Sequence, residues 1–188
     1  MLRQLAEWDR AAIASLAQVQ WGPLTAVLVV ASAWWVKWPL FALIGGCCDA
    51  AKRRLLPIAA LAGAGAAAAA EGLTVLLKQL TERARPPLAY PGIESLVSLP
   101  DSTSFPSGHA ATAFAAATAV GILHPRFRST LLALAATVAL SRVYLGVHFW
   151  SDVLVGGLLG IAIGVAAGRL AQRGRGGLRR PARSPGSA

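Results

Sequence analysis

Three short groups of polar residues interrupt an otherwise apolar chain. The first is Lys78 with Arg85-Pro86. Lys78 and Arg85 are seven residues apart, so a helix continuing nearly to Pro86 projects both from one face, and the proline then ends it. Two cations on one face make an anion site; a snorkelling lysine beside a juxtamembrane arginine accounts for the same residues. The second group is Ser104-Phe105-Pro106-Ser107-Gly108-His109, directly before an Ala-rich stretch. Ser104 is the expected N-cap, Pro106 suits the first turn, and Gly108 lets a bound group approach the backbone. Free N–H groups at such a helix start attract phosphate, and His109 beside them is a candidate general acid. Plain capping and an interfacial histidine are the alternative. The third group is Ser141-Arg142, His148 and Asp152. Gly146 offers a break between Arg142 and His148, and Asp152, four residues on, reaches the imidazole across one helical turn. A carboxylate holding one ring nitrogen leaves the other free to attack; an interfacial histidine and an aspartate complementing a helix dipole are again the alternative.

The elements that must position these groups are membrane helices. The 188 residues are 55% hydrophobic and 14% charged with a net charge of +10, and the mean hydropathy is +0.56. Soluble domains average about 25% charged residues, and disordered chains lack such hydrophobicity. The basic residues lie between apolar runs and form no stripe among aromatics, which argues for membrane topology and against a nucleic-acid partner. At roughly 20 residues per span, the length allows five or six helices, an all-α polytopic bundle. Clear spans are expected at 55–77, 107–123, 130–147 and 151–170, and the Ala and Gly of the first suit close helix approach. The apolar stretch from Pro23 to Gly46 is either one bent span or a short re-entrant piece followed by a span; Trp34, Trp35 and Trp38 mark an interface near its middle.

Basic clusters at Lys52-Arg53-Arg54, at Arg126 with Arg128, and in the tail from Arg169 to Arg183 place those ends in the cytoplasm by the positive-inside rule. The ends near Lys78, His109 and His148 then share the extracytoplasmic side. Residues 1–22 form an expected amphipathic helix, with Leu5, Trp8, Ala12 and Leu16 at helical spacing, lying in the interface or packed on the bundle; charges at Arg3, Glu7, Asp9 and Arg10 argue against a signal peptide. Residues 23–170 make the membrane-embedded domain and 171–188 a basic, disordered tail. Adjacent Cys47 and Cys48 read as buried thiols.

Convergence on one side collects three cations, a helix N-terminus, two histidines and an aspartate. That is the inventory for phosphoryl transfer to a histidine nucleophile. Glu94 and Asp101 stand isolated, so no metal and no other cofactor is expected. Glu71, two turns before Lys78 on the same face, is expected neutral or paired, buttressing Lys78 or Arg142 or bonding between helices. Lys37 reads as an interfacial snorkeller.

In order and spacing, Lys78-x6-Arg85-Pro86, Pro106-Ser107-Gly108-His109 and Ser141-Arg142-x5-His148-x3-Asp152 resemble the three signatures of the type 2 phosphatidic acid phosphatase family of membrane lipid phosphatases, over roughly residues 20–170. The resemblance implies that His148 attacks phosphorus, Asp152 orients it, and His109 protonates the leaving oxygen and later activates water. It implies that Lys78, Arg85, Arg142, Ser107 and the Gly108 N–H hold the phosphate. Against members that begin with an additional span, the chain looks trimmed. The expected substrate is a lipid phosphate or diphosphate, undecaprenyl diphosphate first, with phosphatidylglycerophosphate or phosphatidate as the alternative. Vanadate-dependent haloperoxidase chemistry and an inactive lipid carrier or assembly partner are the competing classes.

Overall fold

The computed structural model describes residues 2–17, 21–53 and 57–177. The expectations placed on the tail beyond residue 177 and on the side chains of Leu5, Leu16, Lys37 and the three tryptophans at 34, 35 and 38 lie outside the described residues. Among those described, every regular element is helical: α1 (Leu2–Ala17), α2 (Gly22–Ala31), α3 (Trp34–Ala51), α4 (Ile58–Gln79), α5 (Pro86–Ala89), α6 (Gly108–Leu123), α7 (Arg128–Tyr144) and α8 (Trp150–Gly177).

α4 and α8 are long and apolar enough to cross a bilayer. The stretch after Pro23 divides into two helices at Ser32-Ala33; at 1.5 Å per residue, α2 with its 10 residues is too short to span.

The centre of the bundle is α6, which packs against α8, α4 and α7. Its residues from Ala110 to Leu123 are almost all buried. Large apolar side chains point outward instead, among them Leu61, Leu76, Leu158 and Leu170, as expected where the surroundings are lipid tails. What lets α8 lie on α6 is a glycine every fourth residue, at 156, 160, 164 and 168. A Cβ at Gly156 would collide with the Ser107 carbonyl, one at Gly160 with that of Ala111, and one at Gly164 would stand 2.5 Å from that of Ala115. The backbones therefore touch, and Ser107 N donates to the Asp152 carbonyl at 3.0 Å.

The opposite end is closed by a buried acid. Asp49 Oδ2 accepts from Ala59 N in the first turn of α4 at 2.6 Å, and Oδ1 lies 3.1 Å from His124 Nε2 after α6. Cys48 is buried as expected, but Cys47 faces outward. α1 docks through Asp9 and Ile13, both buried, while Trp8 is exposed, so the helix packs on α7 and α8 with a face other than the one that carries Trp8.

Candidate active site

His148 sits in the turn between α7 and α8, and its orientation is set on both sides. Gly146 takes φ 73° and packs against the Glu94 carbonyl, where a Cβ would sit at 2.5 Å; only glycine tolerates both conditions. The carbonyl of Arg142, in the last turn of α7, accepts from Val147 N at 3.1 Å and His148 N at 3.3 Å. The ring is then gripped by Asp152 and Arg85. Its Nδ1 lies 3.5 Å from Asp152 Oδ2, longer than a good hydrogen bond, and its Nε2 lies 3.4 Å from Arg85 Nη1.

Asp152, in the first turn of α8, is fully buried and heavily bonded. Oδ2 accepts from Ser104 Oγ at 2.6 Å and from Phe149 N at 2.9 Å; Oδ1 accepts from Arg83 Nη1 at 2.5 Å. Burial pushes the His148 imidazole down to about 4; Asp152 opposes that, and the Arg85 and Arg142 guanidiniums add to it. A ring held neutral at neutral pH keeps a lone pair on the nitrogen that faces Arg85.

Arg85 corrects the expected helix. α4 ends at Gln79, and Arg85 is extended, with ψ 157°, because Pro86 excludes the α region for the residue before it. Pro86 begins the short α5 instead of ending α4. Lys78 and Arg85 therefore meet through the loop and not along one helix face. Lys78 Nζ donates to the Thr103 carbonyl, which also accepts from Arg85 Nη2 at 3.4 Å. Arg85 Nε donates to the Pro100 and Ser102 carbonyls at 3.2 and 3.0 Å, and Nη1 to the Val147 carbonyl at 2.9 Å. Burial lowers its guanidinium, though arginine keeps its charge in such surroundings. Arg142, also buried, donates from Nη1 to Ser32 Oγ at 3.1 Å.

The α6 start is shifted from the expected one. Ser107, not Ser104, is the N-cap, its side chain accepting from Ala110 N; Ser104 is turned away to Asp152. Gly108 and the half-buried His109 occupy the first turn of α6. Gly108 opens on a cleft of about 400 Å³ lined by Glu71, Thr74, Lys78, Gln79, Asp101 and Ser102, among others. Glu71 thus shares a wall with Lys78, as its spacing suggested, and its Oε2 stands 3.7 Å from where a Gly108 Cβ would be.

The structure brings Lys78, Arg85, Ser107, Gly108, Arg142, His148 and Asp152 to this end of the bundle through the contacts above, and places His109 after Gly108 in the first turn of α6. Arg83 is not among the residues that the sequence singles out, although it reaches Asp152 as Arg85 reaches His148. Residues 58–175, which hold the three signatures, match the PAP2 superfamily. The chain belongs to that family. Of individual members, it is 40% identical over 133 residues to decaprenylphosphoryl-5-phosphoribose phosphatase of Mycobacterium tuberculosis, covering 69% of this chain and 68% of that one. It is 38% identical over 88 residues to lipid A 1-phosphatase of Rhizobium johnstonii, covering 45% and 36%. In fold it is similar to the transmembrane PAP2-type phosphatidylglycerolphosphate phosphatase of Bacillus subtilis, with a TM-score of 0.73 at 24% identity over 96% of this chain and 90% of that one. The family match begins at α4, while the structural similarity to the B. subtilis enzyme extends over nearly the whole chain.

Proposed function

We propose that this PAP2 protein is a membrane phosphatase that removes a terminal phosphate from a lipid through a phosphohistidine at His148. The observation that carries this is the split grip on the ring, with Nδ1 toward the Asp152 carboxylate and Nε2 toward the Arg85 guanidinium. A phosphate drawn between Arg85, Arg142, Lys78, the Ser107 hydroxyl and the Gly108 N–H meets a neutral nitrogen bearing a lone pair. Nε2 attacks phosphorus and the bond to the leaving oxygen breaks. His109 gives that oxygen a proton, and Asp152 stabilises the imidazolium. His109 then takes a proton from water, the hydroxide attacks phosphorus, the P–N bond breaks and inorganic phosphate leaves.

The proposed mechanism draws its charge stabilisation from guanidiniums, an ammonium and a helix start and calls for no metal.

The leaving group lies in the cleft beyond Gly108. Beside the phosphate-binding Lys78, its wall combines the carboxylates of Glu71 and Asp101 with Thr74, Gln79 and Ser102. Carboxylates and amides accept hydrogen bonds from hydroxyl groups, and carboxylates repel a second phosphate. We therefore place a hydroxylated headgroup on a polyprenyl phosphoester first, as in the substrate named for the M. tuberculosis relative, ahead of undecaprenyl diphosphate. The positive-inside distribution puts this end of the bundle on the extracytoplasmic face.

The test is release of inorganic phosphate in detergent from decaprenylphosphoryl-5-phosphoribose, undecaprenyl diphosphate and phosphatidylglycerophosphate, with and without EDTA. Wild type releases phosphate equally in EDTA, fastest from the first, and His148→Ala releases none. Activity retained by His148→Ala removes the nucleophile assignment, and abolition by EDTA removes the metal-free mechanism. No release from any substrate favours a lipid carrier.

A further inference from the structure

α1 lies outside the segment that matches the family, yet it delivers a carboxylate to the catalytic pair. Asp9 is 1% exposed. Its Oδ2 accepts from Arg83 Nη2 at 2.8 Å and from Ser151 Oγ at 2.5 Å, and its Oδ1 from Ser151 N at 3.1 Å. The other amino group of that guanidinium, Nη1, donates to Asp152 Oδ1 at 2.5 Å and to Ser151 Oγ at 2.7 Å. One rigid fork thus joins a carboxylate of α1 to the carboxylate that faces His148. The guanidinium carbon stands 4.2 Å from the Phe149 ring centroid, so the fork cannot tilt freely. Around it α1 is fastened by Ile13, packed with Ile93, Val143, Phe149 and Val153, and by Arg10 over the Tyr90 ring at 5.1 Å.

We propose that Arg83 is a positioning residue for the hydrolysis and that Asp9 is its anchor, which makes α1 a working part of the active site. The inference rests on the role of the His148–Asp152 pair given above. Asp152 has two oxygens, and only Oδ2 faces the imidazole. Ser104 and Phe149 fix that oxygen, and Arg83 fixes the other. Without Arg83, Oδ1 is a buried charged acceptor with no strong donor, and turning the carboxyl group to find one takes Oδ2 away from Nδ1. Arginine suits the task because its planar fork serves two carboxylates at fixed geometry. Asp9 does for Arg83 what Arg83 does for Asp152. Its loss frees the fork to swing toward solvent, since the Arg83 side chain is 30% exposed.

The experiment measures kcat and KM separately for the full chain in detergent, on decaprenylphosphoryl-5-phosphoribose, with His148→Ala as the zero. Unfolding temperatures are recorded alongside. Arg83→Gln is expected to lower kcat by roughly 10- to 100-fold, the range found where a partner that orients a functional histidine is removed, with KM within about threefold. Arg83→Lys restores part of the loss. Asp9→Asn lowers kcat by about 5- to 10-fold, and the double variant is no worse than Arg83→Gln, because both residues act along one path. Multiplied losses in the double variant, an unchanged kcat in Arg83→Gln, or a fall in kcat that only follows the unfolding temperature overturns the proposal. Should Arg83→Gln not fold, Asp9→Asn and Arg83→Lys decide it by the same split between kcat and KM. Failure of wild type itself to release phosphate would count against the phosphatase reading beneath it. Active wild type, dead His148→Ala and unaffected Arg83 variants would count against this inference alone.

Discussion

Ser104 Oγ donates to Asp152 Oδ2 at 2.6 Å, on the oxygen that faces the His148 ring. The serine that capping preferences would place at the start of α6 is therefore a third hand on the catalytic carboxylate. Removing it leaves that oxygen with the Phe149 amide and the more distant His148 ring, and lets the carboxyl group turn. Ser104→Ala is expected to lower kcat by about tenfold, the worth of one hydrogen bond to a charged group, with KM and the unfolding temperature nearly unchanged. Steady-state kinetics on the purified variant checks this, and an equal loss in KM would place Ser104 on the substrate instead.

The glycine seam predicts a purely steric defect. At Gly160 any side chain meets the Ala111 backbone, which cannot yield without moving α6 off α8. Gly160→Val is expected to destabilise the bundle by roughly 2–3 kcal/mol, in the range of overpacked cores, and to lower activity by shifting Ser107 relative to Asp152. Gly174→Ala, where nothing lies within 4 Å, is expected to do neither. Thermal unfolding in detergent compares the two.

The depressed His148 imidazole gives stability a pH dependence with a definite sign. Its folded value is about 4 against 6.5 for the free side chain. Between those values the unfolded chain takes up a proton that the folded chain refuses, so this contribution is intact above pH 6.5, is lost as the pH falls toward 4, and changes no further below. The full effect is on the order of 3 kcal/mol. Wild type is expected to lose unfolding temperature more steeply than His148→Gln between pH 6.5 and 4. Parallel curves would mean that the ring is not held neutral.

At the other end of the molecule, Asp49 joins α3, the start of α4 and His124 in a fully buried cluster. Asp49→Ala is expected to cost about 3 kcal/mol, as when one partner of a buried pair is deleted, and to leave kcat per folded molecule unchanged. A loss of kcat in the folded fraction would tie this end of the bundle to the chemistry.

Which parts of this were legible beforehand follows from the range of the forces involved. α4, α6, α7 and α8 follow from the apolar runs, and their starts lie within about three residues of the expected ones, but among the described residues only α4 and α8 are long and apolar enough to span. The break at Gly146 and the His148–Asp152 pairing follow from glycine chemistry and one helical turn. The seam at Gly156, Gly160 and Gly164 was present as spacing, but it acquires meaning only against the backbone of α6. Arg85 illustrates the limit of periodicity: Pro86 forbids helix at the residue before it, and α4 stops six residues earlier, at Gln79. Asp9, Arg83 and the new role of Ser104 are contacts between segments far apart in sequence. Asp9 in particular, one charge among several on α1, gave no local sign that it would be buried against residue 151.

The covalent intermediate is the claim on which the rest depends. Rapid-quench mixing of the protein with substrate labelled in the departing phosphate should trap label on wild-type protein that survives alkali and is released by acid, as a phosphoramidate is. The labelled peptide should contain His148, with no label on His148→Ala and label persisting longer on His109→Ala, where no base activates water. Label absent from wild type during turnover, or present on His148→Ala, would contradict attack by this histidine.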